Sequence, residues 1–162
     1  EPVQGAAERV VHLRIGLVLS RRGGALKAML PMFRMGLGGR LGSGRQWVSW
    51  ISHEDLVEAI VHCIEDDDVR GPVNMAAPNP VRNEEFTKAL AETVGRPAIL
   101  PVPAFALRLA VGEMADALLL WGARMQPQRL LASGYEFRHP DLQQALAAEL
   151  RNQPQMNSDQ YR

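Results

Sequence analysis

The sequence holds a single cysteine, Cys63, so no internal disulfide supports the fold, and a reducing compartment, the cytoplasm, is the expected setting. Lysine is scarce: only Lys27 and Lys88 occur, and the other cations are arginines, whose planar fork suits carboxylate and phosphate. An excess of charge of either sign is also missing. Eighteen Lys+Arg balance eighteen Asp+Glu over 162 residues, leaving no global field to draw the chain to nucleic acid or an anionic membrane. No apolar run reaches the roughly 18 residues a membrane span needs. What remains is 46% hydrophobic and 22% charged, the composition of one globular domain. The first residue is Glu1, with no secretory-type start behind it, which suggests a fragment or a processed chain.

Arg9 to Ser20 (RVVHLRIGLVLS) is rich in β-branched and aliphatic residues and closes on Arg21-Arg22-Gly23-Gly24, which predicts a buried strand ending in a turn. Leu26, Met29, Leu30 and Phe33 then fall at helical spacing, with Pro31 expected to kink or restart the helix. A glycine-rich loop, Gly36 to Arg45, leads into the extended Gln46 to Ile51, and Ser52 with Asp55 reads as a capping pair. Val57, Ile60, Val61 and Ile64 are the predicted buried stripe of the following helix. A short strand at Val73 to Ala76 and a helix from Asn83, its predicted N-cap, to Gly95 come next, with Phe86 and Leu90 facing the core. Further on lie an extended Ala98 to Val102, a long apolar helical region from Pro103 to about Leu120, and a short helix from Pro127 to Gly134. A last helix follows Pro140, with Leu142, Leu146 and Leu150 on one stripe, and residues 151–162 read as a disordered polar tail.

Several motifs point to chemistry that their surroundings do not support. Gly36, Gly39 and Gly42 have dinucleotide-fingerprint spacing, but that mechanism needs a strand before the glycines and a helix opening after them, the reverse of the pattern here. A turning loop, or one that covers substrate, fits better. His53-Glu54 starts like a zinc-protease motif, yet Val57 stands where the second histidine is required, so no metal site is expected. Glu58 and His62 read as a solvated pair, Cys63 as a buried inert thiol, and Met29, Met32 and Met35 with Phe33 as core or, alternatively, as the lining of an adaptable pocket. Arg45, Gln46, Trp47 and Trp50 form a denser group beyond the glycine loop. They suit either an anionic or ring-bearing ligand or a packed amphipathic edge strand.

The run LRIGLVLSRRGGALKAMLPMFRMGLGGRLGSGRQWVSWISHEDLVEAI, followed by GPVNMAAPNPVRNEEFTKALAETVGRP and LPVPAFALRLAVGEMADALLL, resembles the C-terminal, DUF1731-type half of the epimerase-like atypical extended short-chain dehydrogenase/reductase family. The likeness covers about Arg9 to Leu150 in unbroken order. It implies an α/β fold made of a few Rossmann-sheet strands and a mostly helical substrate-side domain. On this reading residues 1–20 end the Rossmann portion and 21–150 form the substrate side. The resemblance implies NADP(H) as cofactor of the complete protein, with Gly16, Leu17 and Val18 passing its nicotinamide end. It places the loop and strand from Gly38 to Trp50 toward a small, nucleotide-linked substrate. Substrate binding is assigned to Arg45, Gln46, Trp47 and Trp50. The family pattern F-I-H-x-x-D-L departs here, with Ser52 where histidine is usual.

The family's Tyr-x-x-x-Lys pair, whose lysine lowers the phenol's pKa for proton exchange, is missing: Tyr135 is followed four residues on by His139, and Tyr161 lies too near the chain end. No catalytic residue is assigned. The expected function is the substrate-side part of an NADP(H)-dependent epimerase-like oxidoreductase, inactive and free of cofactor alone, whose partner is a missing N-terminal Rossmann half or a further copy. The competing reading is a stand-alone binding or assembly module that uses an unpaired strand edge.

Overall fold

The computed structural model describes residues 9–98 and 122–151, so the predicted extended segment after Ala98, the long apolar helix from Pro103 and the polar tail after Arg151 lie outside the described residues. The predicted first strand forms as two: β1 (Val11–Ile15) and β2 (Leu17–Leu19), divided at Gly16. The break reflects a change of partner. β1 pairs in parallel with β5 (Gly71–Met75), whereas β2 pairs in parallel with β4 (Trp50–Ser52). The Gly16 N–H donates to the Met75 carbonyl at 3.0 Å, and a Cβ on Gly16 would stand 2.6 Å from the Ser49 carbonyl oxygen, so only glycine fits at the switch.

Parallel pairing requires long crossovers, and helices supply them. α1 (Gly24–Arg34) lies between β2 and β4, and α2 (His53–Glu65) between β4 and β5. α1 continues through Pro31 as one helix rather than restarting there: Pro31 and Lys27, the residue whose carbonyl loses its helical partner, are both exposed. β3 (Trp47–Val48) and β6 (Val81–Arg82) make a short antiparallel pair that the sequence reading did not anticipate. α3 (Asn83–Val94) ends on a left-handed Gly95, and α4 (Gln128–Ala132) and α5 (Leu142–Arg151) complete the described fold.

Two clusters hold these elements. Leu26, Leu30 and Phe33 of α1, Phe86 and Leu90 of α3 and Leu142 and Leu146 of α5 bury one another around Trp50. The second cluster joins Ile51, Ala59, Cys63, Val73, Met75, Leu130 and Tyr135. Here the predicted stripe of α2 is corrected, because its buried residues are Asp55, Ala59 and Cys63, while Val57, Val61 and Ile64 are 45–66% exposed. β1 is corrected likewise. It is exposed from His12 to Ile15, having β5 on one side and no strand on the other among the described residues.

Asp55 organises the second cluster. The Ser52 hydroxyl accepts from the Asp55 N–H at 2.9 Å and donates to its carboxylate at 2.6 Å, so the predicted capping pair forms. The same carboxylate accepts the backbone N–H groups of Arg138 at 2.7 Å and His139 at 3.1 Å. The far end of α2 is covered by Arg9, whose guanidinium donates to the carbonyls of Cys63, Ile64 and Asp66 at 2.6–3.0 Å, answering helix-end acceptors with a cation.

Candidate functional site

A cavity of about 290 Å³ opens where β1 gives way to β2, walled by Ile15, Gly16 and Leu17, by Trp47 to Ser49, and by Met29, Asn83 and Phe86. Gly122, Ala123 and Met125 close another side, with Gly122 against the Trp47 backbone so tightly that a Cβ would collide with its carbonyl. Ser49 fixes that wall: its hydroxyl donates to the Ala123 carbonyl at 2.7 Å and accepts the Met125 N–H at 2.8 Å. Among the described residues the lining is largely apolar and contains no titratable side chain. It can shape and hold a ligand, whereas proton transfer needs a group from elsewhere.

The sequence-predicted residues divide around this cavity. Gly16, Leu17 and Trp47 line it. Val18 turns the other way, packing half-buried against the second core cluster. Trp50, predicted to bind substrate, is fully buried and donates its indole N–H to the Asn79 carbonyl at 3.0 Å, so it serves the core. It lies in one cluster with residues of α1, α3 and α5, which a pattern of apolar residues along one strand does not reveal. Gln46 braces the glycine loop by donating to the Leu41 carbonyl at 2.9 Å. Arg45 is exposed outside the lining, and its carbonyl accepts from the Arg82 guanidinium. Asn83 is the instructive omission. Read as an N-cap, it stands inside α3 and accepts the Leu41 N–H at 2.8 Å, tying the glycine loop to the cavity wall. Met29 serves both expected roles, packing against the first core cluster and lining the cavity, while Met32 and Met35 are exposed.

The glycine loop itself is occupied by packing. Gly38 abuts the Phe33 ring, Gly39 is buried, and Gly36, Gly42 and Gly44 take the positive φ values of tight turns. It follows a helix and precedes β3, and the N-terminus of α3 that meets it is engaged by the loop, the Glu84 N–H donating to the Gly44 carbonyl at 3.0 Å.

The remaining candidates are structural. The Tyr135 hydroxyl donates to the Asp55 carbonyl at 3.0 Å, and burial, with the Asp55 charge beside it, holds the phenol well above its ordinary pKa. His139 faces Glu54 at 3.1 Å rather than a cofactor wall. Glu58 and His62 are corrected as a pair, since Glu58 binds Arg138 and His62 meets the Ser133 hydroxyl at 2.8 Å. His53 is exposed, and Cys63 is buried with its thiol pKa pushed up by desolvation.

Comparison with known proteins matches residues 102–149 to a domain of unknown function (DUF1731). An epimerase family protein of Mycobacterium bovis is 48% identical over 145 residues, covering 90% of this chain and 48% of that protein. The human epimerase family protein SDR39U1 is 41% identical over 142 residues, covering 88% and 48% respectively. The chain thus spans about half the length of the curated relatives it matches. A crystal structure of the human protein (isoform 2) with NADPH superimposes with a TM-score of 0.85 at 39% identity, over 90% of this chain and 49% of that one. A nucleoside-diphosphate sugar epimerase of Corynebacterium glutamicum gives 0.64 at 35% identity, over 88% and 26%. By sequence and by fold alike, the chain belongs to the epimerase family, built on the extended short-chain dehydrogenase/reductase fold.

Proposed function

We propose that this chain is the substrate-side portion of an NADP(H)-dependent, nucleoside-diphosphate-sugar epimerase-like oxidoreductase of the cytoplasm. The observation that carries this reading is the cavity at the carboxyl end of β1, the end of a parallel sheet at which α/β proteins hold their ligands. Ile15, Gly16 and Leu17 offer the nicotinamide end a wall with little side chain at its centre. Trp47 and Asn83 form the substrate side. The glycine loop does not fit the cofactor's pyrophosphate, because its glycines are packed against Phe33 and its Leu41 N–H is bound by Asn83. The dinucleotide's phosphates therefore belong on a strand-glycine-helix turn outside this chain. When bound, the nicotinamide supplies hydride transfer. This chain's residues orient the substrate and exclude water, and the proton acceptor comes from the other half.

The test is NADPH titration, read by nucleotide fluorescence and thermal stability, since a ligand specific for the folded state raises its stability. The chain alone is expected to show no shift at millimolar nucleotide. The same chain preceded by a Rossmann half is expected to show a saturable one. Saturable binding to the chain alone overturns the division of labour proposed.

A second reading, a non-catalytic assembly module, draws on the exposed apolar residues Leu13, Ile15, Val57, Val61 and Ile64 along β1 and α2. Light scattering separates the two. The module reading requires stable association of this chain with another partner, or with itself, without any Rossmann half.

A further inference from the structure

Two guanidinium groups converge on one ring beside the cavity. The Arg82 guanidinium carbon lies 3.7 Å from the Trp47 ring centroid and that of Arg124 lies 4.8 Å from it. One stacked arginine is an ordinary way to cover an indole. A second adds repulsion between like charges, and among the described residues no carboxylate forms an ion pair with either. The Glu85 carboxylate is bound to the Arg82 backbone N–H at 2.6 Å. Arg82 spends one N–H on the Arg45 carbonyl, and its other donors are not committed to a carboxylate. Arg124 is exposed and stands between Ala123 and Met125, both of which line the cavity. Among the described residues the lining is uncharged, and the two cations stand outside it, stacked on Trp47, one of the lining residues.

We infer that Arg82 and Arg124, presented on Trp47, form an oxyanion-binding site at the mouth of the cavity. It takes a phosphate or carboxylate group of a ligand whose less polar body lies against Met29, Trp47 and Phe86. The inference rests on the proposed substrate side, and it names the charged group that this side recognises. Guanidinium forks bind such oxyanions through paired, charge-assisted hydrogen bonds. Two cations at the mouth of an apolar cavity also concentrate anions there.

The experiment titrates the chain with inorganic pyrophosphate and, separately, with succinate at matched ionic strength, following tryptophan fluorescence and heat of binding. Saturable binding of either probe is expected, and the preferred probe tells phosphate from carboxylate. Arg124→Gln, an exposed change that leaves the fold's hydrogen bonds in place, is expected to weaken binding about tenfold, the loss of roughly one charge-assisted contact. Arg82→Gln with Arg124→Gln is expected to abolish it. Thermal melting verifies that the variants fold. No saturable binding of either probe, or unchanged affinity in Arg124→Gln, overturns the site. Because inorganic probes need no cofactor, that failure is distinct from failure of NADPH-dependent chemistry in the longer protein.

Discussion

α1, α3 and α5 enclose Leu30, Phe33, Phe86 and Leu146 at 5% exposure or less, whereas β1 and α2 leave Leu13, Ile15, Val57, Val61 and Ile64 at 37% or more. Both regions are apolar in sequence. The helical region finds its partners within the chain, since α3 and α5 pack on each other and α1 joins them over β2 and β4. β1 belongs to a parallel sheet, a structure normally covered on both faces and continued at both edges, and here it has only β5 beside it among the described residues. The difference separates apolar residues that stabilise this chain from those that suit a covering surface.

Substitutions on the two sides should therefore behave oppositely. Phe86→Ala empties the closed core and is expected to cost about 3–5 kcal/mol in urea unfolding. Asp55→Ala should follow at about 3 kcal/mol, because it strands the N–H groups of Arg138 and His139 in a partly buried site. Asp55→Asn, which keeps an acceptor oxygen, should recover part of that loss in the same measurement. Alkaline pH probes the same cluster through Tyr135. Its folded pKa is raised, so the folded state keeps a proton that the unfolded chain releases. The stabilisation is complete below the ordinary tyrosine value of about 10 and falls as pH rises beyond it. Tyr135→Phe should flatten that decline in pH-dependent melting. Smallest in stability is Val61→Lys, expected within about 0.5 kcal/mol of the parent chain. A loss near the size of Phe86→Ala would show that α2's outer face is closed after all, and the comparison would fail.

Several signals whose cause is local were legible in the sequence. Ser52 and Asp55 form their cap, Gly95 and Gly134 take the positive φ that ends a helix, and the α1, α3 and α5 stripes face inward. α2 shows where that logic stops. Periodicity identifies which residues are apolar, not which face meets a neighbour. Its small and polar face, Asp55, Ala59 and Cys63, lies inward because β4 and the Tyr135 segment approach from that side. For the cavity, the sequence singled out Gly16, Leu17 and Trp47 and placed Ser49 only within a broad substrate-facing range, but missed Asn83, Gly122, Ala123 and Met125, whose roles depend on contacts between segments far apart in the chain.

The sequence by itself determined the alternation of strands and helices, the caps at Ser52, Gly95 and Gly134 and the absence of a Tyr-x-x-x-Lys pair. Each follows from residues within a turn or two of one another. Only the tertiary structure decided that Trp47 lines a cavity while Trp50 disappears into the core, and that Arg82 and Arg124 meet on one indole. The reason is that burial and convergence belong to the meeting of distant segments. A residue's spacing fixes its place on an element, and the elements packed against it fix what it touches.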